Sequence, residues 1–200
     1  PKKINDQPKK RWEQMVRVAM GQSKMGARIV PGILHMVVYL GFIIINIEVL
    51  EIVLDGFLGT HRLFAGLPGY RFLINTFEVL ALLVVIAVGV FWIRRNVIHV
   101  QRLVHGELKG WPKLDANLIL YIEWFLMGLF LLMNAADAQL QLLGTPHYPA
   151  VGPWVVSSFI QPLLAGLPVA VLVIIERSAW WLHIAGILFF LNYLYYSKHL

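Results

Sequence analysis

Seven histidines stand in a chain that has no cysteine: His35, His61, His99, His105, His147, His183 and His199. Imidazole is then the strongest ligand this sequence offers a soft or borderline metal, and thiolate-bound zinc or iron–sulfur clusters have no ligands within it. His35 and His183 lie inside long apolar runs. An ionisable side chain there is rare and marks a functional position by default. Neutral imidazoles facing the interior of an apolar helix bundle are also how haem b is held through its axial positions. The plainer reading of each is a histidine that hydrogen-bonds between packed helices. His99, His105 and His147 fall in more polar stretches and read as solvated loop or helix-surface residues.

Depth and helical phase restrict the pairing of these histidines. His35 stands six residues into the first apolar run, and His183 stands near the start of the last. In an up-and-down bundle they are expected toward opposite faces of the membrane, too far apart to share one iron. His61 is the partner in reach of His183, provided Gly56 and Gly59 fold the chain back. The partner of His35 is expected at the far end of the last run, where His199 stands. His183 and His199 are 16 residues apart, which leaves them roughly 160° apart around a helix. A spacing of about 18 residues, five full turns, would restore one face, and that position falls just past Leu200.

The acids form a second constellation. Glu48, Glu51 and Asp55 are spaced to share one helical stripe, roughly opposite His35 in phase. Glu78 and Glu123 stand inside other apolar runs and are expected at other depths. Carboxylates held away from water can exchange protons, so Glu48, Glu51 and Glu78 are candidates for quinone protonation or a proton path. The competing reading has these acids face water or pair with Arg62, Arg71 or Arg177. Asn46, Asn134 and Asn192 read as polar contacts between helices. No GxGxxG or phosphate-binding loop occurs among the glycines.

The elements that must position these residues follow from composition. Of the 200 residues, 58% are apolar and only 14% charged, against about 45–50% and 25% in soluble domains. The solvent of such a chain is lipid, and both a soluble domain and a disordered one are excluded. Four spans are expected: residues 29–54, 72–93, 117–137 and 179–197, with Asp115 as N-cap of the third. Residues 169–175 extend the fourth span or belong to a separate crossing, which would make five. The preferred reading has four, with residues 139–168 as an extracytoplasmic or re-entrant segment rich in proline. Residues 1–28 are strongly basic, and Trp12, Met15, Val16 and Ala19 fall at helical spacing, as in a helix lying on an anionic membrane face.

Charge orients the spans. The net charge is +6. With four spans, the basic N-terminal segment, the loop from Arg94 to Lys113 and Lys198 share one side. Only Arg62, Arg71 and Arg177 lie on the other. This bias places both ends in the cytoplasm and reads as a topology signal, not as a nucleic-acid surface. The chain starts at Pro1 and stops within a helical pattern, so both ends are expected to be cut from something longer.

A family resemblance rests on longer runs. Arg28-Ile-Val-Pro-Gly-Ile-Leu-His35 followed by Gly41-Phe42 resembles the first ligand-bearing helix of nitrate reductase gamma-subunit-like cytochromes b. Nearly the whole chain resembles the membrane part of heterodisulfide-reductase-like (Fe-S)-binding oxidoreductases of Bacteroidetes type. The matching pieces are residues 17–25, 46–52, 55–62, 91–96, 110–117, 133–137, 176–177 and 180–200. The resemblance implies a further span before the basic segment and a cytoplasmic iron–sulfur domain after the last helix. It also implies two haems b between the first and last spans, with His35 and His183 among the ligands. Where the family carries its second ligand on the first helix, this sequence has Ile43, Ile44, Ile45 and Asn46.

The expected protein is therefore an all-α, multi-pass membrane module of cytochrome b type, comprising a basic segment at 1–28 and a bundle at 29–200. Its expected role is electron transfer between a quinone, menaquinone, and cytoplasmic iron–sulfur clusters through one or two haems b. It would sit in the bacterial inner membrane as part of a larger complex. Two alternatives stand: a haem-free scaffold that anchors an iron–sulfur subunit, and a proton or ion path through Glu48, Glu51 and Glu78.

Overall fold

The apolar runs become helices because nothing in their interiors breaks the hydrogen-bond ladder. The prolines sit where a helix tolerates them, at Pro31 and Pro112 in first turns and at Pro168 just before a helix. The structure is a computed structural model and describes residues 7–21, 23, 29–100 and 110–197. Its elements are α1 (Pro8–Met15), α2 (Ile29–Leu58), α3 (Tyr70–Asn96), α4 (Trp111–Leu142), the short α5 (Ser157–Ile160) and α6 (Val169–Tyr196). A π-helical turn follows α1 at Val16–Met20, and 3-10 turns cover Leu63–Gly66 and Gln161–Leu164. Helices α2, α3, α4 and α6 are each long and apolar enough to cross a membrane. No strand occurs among the described residues. The chain is an all-α, four-span bundle.

The boundaries differ from expectation for physical reasons. Helix α6 starts at Val169, ten residues before the expected start. Glu176 and Arg177 interrupt the apolar run, but the two side chains pair with each other and Glu176 is fully buried. Residues 169–175 thus extend the fourth span, and no fifth crossing occurs among the described residues. Asp115 is not an N-cap. Gly110 precedes the first turn of α4, and Asp115 lies within the helix, buried, accepting a hydrogen bond from the Tyr193 hydroxyl. Asn46 and Asn192 do not join helices. Each donates to a carbonyl on its own helix, Phe42 and Leu188, and of these three asparagines Asn134 bridges elements. In the N-terminal segment, Trp12, Met15 and Val16 are exposed.

The four long helices pack in a row. Helix α2 lies on α3, α3 on α4 and α4 on α6, while α5 and the turn after it sit against α4. Two glycines set the closest approaches. A Cβ at Gly41 of α2 would meet Val84 of α3 at 2.7 Å, and one at Gly186 of α6 would meet Leu126 of α4 at 2.7 Å. Small residues let membrane helices approach backbone to backbone. The first and last members of the row, α2 and α6, scarcely touch. They come together beside the 59–69 loop, where Gly56 faces the Trp180 ring. Toward the opposite end they stand apart around two cavities, one lined by His35 and one by His183.

Replacing Gly186 with valine is expected to cost about 1–3 kcal/mol by overpacking against Leu126. Gly128 faces open space, so Gly128→Ala is expected to stabilise its helix by up to about 1 kcal/mol. Thermal unfolding of the two variants in detergent checks the contrast.

Candidate functional site

One end of the bundle is tied together by a single loop arginine. Arg62 leaves α2 with its backbone in the left-handed region, φ 57°, which turns its side chain inward to 6% exposure. Its Nε donates to Asp137 Oδ2 at 3.0 Å, Nη1 to Glu48 Oε1 at 2.8 Å and Nη2 to Asn134 Oδ1 at 2.6 Å. Burial works against its charge, but the Asp137 and Glu48 carboxylates outweigh burial and hold the guanidinium well above its ordinary range. The Trp154 ring covers it at 4.8 Å.

The acids around Arg62 hold the loops. Asp55 accepts from the Arg62 and Leu63 N–H groups and the Thr60 hydroxyl. Glu51 accepts from the Phe64 N–H and the Tyr70 hydroxyl, each at 2.8 Å. Glu78 accepts from the Val156 and Ser157 N–H groups and the Ser157 hydroxyl, and it also receives Asn134 Nδ2 at 3.4 Å. Glu78 therefore belongs to the same level as Glu48 and Glu51, not to another depth. Each of the three proton candidates, Glu48, Glu51 and Glu78, is engaged with the arginine or with loop donors that would otherwise be buried without a partner.

His61 belongs to this network as well. Arg177 Nη2 donates to its Nδ1 at 3.1 Å, which leaves the ring proton on Nε2 to be donated to Asp137 at 3.2 Å. Both ring nitrogens are engaged. The Tyr148 and His147 rings stand 4.6 and 5.5 Å from it, centroid to centroid. Tyr148 in turn donates to Glu176 at 3.1 Å.

His183 occupies a different level. Its Nδ1 bonds the Leu126 carbonyl at 3.0 Å, so Nδ1 carries the proton and Nε2 presents a lone pair. The side chain is 1% exposed, and Nε2 has no hydrogen-bond partner. The ring lines a cavity of about 60 Å³ with Asn46 and Val49 of α2, Glu123 of α4 and Ile187 of α6. His61 and His183 are not brought together: they bond Asp137 and Leu126, 11 residues apart on α4, or about 16 Å along the helix.

His35 lines the larger cavity, about 410 Å³, with Tyr39, Phe91, Arg95, Glu123 and Phe190. Its ring meets Phe91 edge-on at 6.3 Å. The two cavities adjoin, sharing Val38, Phe42, Glu123 and Phe190. Glu123 therefore stands between the levels of His35 and His183, and no hydrogen bond or ion pair holds its carboxylate among the described residues. His199 lies outside the described residues. Among those described, no group of three or more histidine, aspartate or glutamate side chains is arranged to hold a metal ion.

Sequence reasoning placed His35 and His183 in the spans but missed how Arg62, Asn134, Asp137 and Glu123 are used. Asp137 had read as a span end. Glu123 had the available signal, an unpaired acid in mid-span, but no spacing linked it to either histidine.

The chain is 28% identical over 179 residues to the probable iron-sulfur-binding oxidoreductase FadF of Bacillus subtilis (strain 168). The likeness is to an iron–sulfur oxidoreductase. The alignment takes in 90% of this chain and 24% of that protein, so the chain spans about a quarter of the length of the curated relative it matches. No family model matches the chain, and no solved structure matches it.

Two outcomes follow from the network. Arg62→Ala leaves Glu48 and Asp137 buried without their counter-charge and is expected to cost about 3–5 kcal/mol. Arg62→Lys recovers less than half, because an ammonium cannot reproduce the three-way fork; thermal midpoints in detergent read both. Burial, and then the Glu176 carboxylate, push Tyr148 up to about 12. Between about pH 10 and 12 the folded chain keeps a proton that the unfolded chain has lost. The stability this group contributes is therefore present below about pH 10 and is lost as pH rises through about 12. Tyr148→Phe is expected to remove that part of the alkaline transition, as followed by circular dichroism.

Proposed function

We propose that the chain is the membrane electron-transfer module of an iron–sulfur oxidoreductase, passing electrons between a quinone pool, menaquinone, and iron–sulfur clusters through haem b. It acts in the bacterial inner membrane with both ends of this chain facing the cytoplasm, where an iron–sulfur domain or subunit docks. The observation that carries this reading is the gap between α2 and α6, the two helices that bear His35 and His183. Four apolar helices, the similarity to FadF and the resemblance to cytochrome b membrane parts support it.

The residues fit one haem better than two. At the level of His35 the cavity offers about 410 Å³, an imidazole, aromatic walls from Phe91 and Phe190, and the Arg95 guanidinium. Arg95 Nε is buried and has no hydrogen-bond partner, as suits a group that pairs with a propionate. His199, outside the described residues, is the second ligand that the sequence offers. At the level of His183 the lone pair is available but the room is not, and the facing residues of α2, Ile45, Asn46 and Val49, offer no second ligand.

Haem b, when bound, supplies one-electron transfer by its iron. His35 would hold the haem through its imidazole. Phe91 and Phe190 exclude water, which tunes potential through the local dielectric. Arg95 would offset the charge of a haem carboxylate in the apolar cavity.

The reduced-minus-oxidised spectrum of the purified protein tests this. Haem b bands near one per chain are expected, falling to below about a tenth in His35→Ala. Absent bands would sink the reading and favour a haem-free scaffold for an iron–sulfur subunit, which the lack of a ligand opposite His183 independently suggests.

A further inference from the structure

The charges at the Arg62 end of the bundle do not cancel. Five carboxylates there are each at most 2% exposed: Glu48, Glu51, Glu78, Asp137 and Glu176. Two guanidiniums face them. Arg62 places Nε and Nη2 on Asp137 Oδ2, at 3.0 and 2.9 Å. Arg177 places Nε and Nη2 on the two oxygens of Glu176. His61 accepts from Arg177 at Nδ1, so its ring is neutral and adds no charge. Arg71 and His147 are exposed, Arg71 lying against Gly152. Matching Asp137 with Arg62 and Glu176 with Arg177 leaves Glu48, Glu51 and Glu78 with no cation of their own. A buried charge without a partner is costly, and such a group becomes neutral instead.

Hydrogen-bond donors separate these three acids. Glu51 has the Phe64 N–H on one oxygen and the Tyr70 hydroxyl on the other. Glu78 has two loop N–H groups on one oxygen, and the Ser157 hydroxyl and Asn134 amide on the other. Donors on both oxygens favour an ionised carboxylate. Glu48 receives only Arg62 Nη1, at Oε1, and its Oε2 is buried without a hydrogen-bond partner. Every other oxygen of the five carboxylates has a donor, Asp137 and Glu176 included. The group with the least support for a negative charge is therefore Glu48.

We propose that Glu48 is a proton-binding site, its Oε2 taking up one proton and releasing it to water at the end of the bundle that carries the 59–69 loop. The bond made and broken is O–H on Oε2, and no electron moves. With the proton bound, Asp137 alone matches Arg62, and Glu48 still accepts from Nη1 through Oε1. With it released, both carboxylates face the guanidinium. The route to water starts at Glu51, one turn further along α2. Glu51, Asp55, His61, Arg62 and Glu176 border a space of about 10 Å³, close to what one water needs. Asp55 is half-buried and stands at its edge. This activity depends on neither haem nor quinone.

Infrared spectra of the purified full chain in nanodiscs, recorded in H2O and D2O at neutral pH, test the proposal. A protonated-carboxyl band is expected, part of which shifts in D2O. Glu48→Gln should lose that part, with its thermal midpoint within about 5 °C of the unaltered chain, because an amide stands in for a neutral acid. Asp137→Asn should lose the same part while staying helical, since Glu48 then gives up its proton to match Arg62. An unchanged band in Glu48→Gln would overturn the proposal, as would a band wholly unmoved by D2O. So would a midpoint lowered by more than about 5 °C in Glu48→Gln, the result for a carboxylate that Arg62 needs as its counter-charge. Survival of the exchangeable band in a helical Asp137→Asn would overturn it as well.

Discussion

A guanidinium cannot sit inside an apolar bundle unless carboxylates come with it, and Arg62 sets the terms for one end of this molecule. Its charge is buried between α2 and α4, and the cost of removing it from water is offset by Glu48, Asp137 and Asn134 together. Those partners come from two helices, so satisfying the arginine also sets their relative depth. Asn134 passes the constraint to Glu78 on α3, and Asp137 passes it through His61 to Arg177 on α6. One loop residue thus registers all four spans.

The two ends of the bundle solve opposite problems. At the Arg62 end, polar groups are dense and their bonds run from helix to helix and from helix to loop. At the other end, the polar groups that reach the α2–α6 gap are sparse. His35, Arg95, Glu123 and His183 line it among aliphatic and aromatic side chains. The first arrangement gives rigidity, and the second leaves chemistry available. Of the carboxylates read as proton candidates, Glu51 and Glu78 accept from loop N–H groups, while Glu48 meets Arg62 through Oε1 and keeps a buried Oε2 without a hydrogen-bond partner. Glu123, which has no hydrogen bond or ion pair among the described residues, lines both the His35 and the His183 cavities.

The spans were legible because hydropathy acts locally, and a run of apolar residues needs no knowledge of its neighbours to be read. Their ends were less so. Glu176 and Arg177 are charged by type but neutralise each other in place, and hydropathy cannot see a partner. Asp115 has the side chain of an N-cap, yet the Tyr193 hydroxyl, 78 residues away, claims it. The same limit hid the Arg62 network, whose contacts to Asn134 and Asp137 cross more than 70 residues. His35 and His183 were legible as intramembrane imidazoles. That they border adjoining cavities depends on the order of helices in the row, which no single segment encodes.

The row of helices has a mechanical consequence. Helices α2 and α6 are fastened beside Gly56 and Trp180 and through the network there, and toward the far end little joins them directly. The distance between α2 and α6 at that end is therefore fixed through α3 and α4, three interfaces away along the row, and any repacking at the Gly41–Val84 or Gly186–Leu126 approach is passed on to the width of the gap.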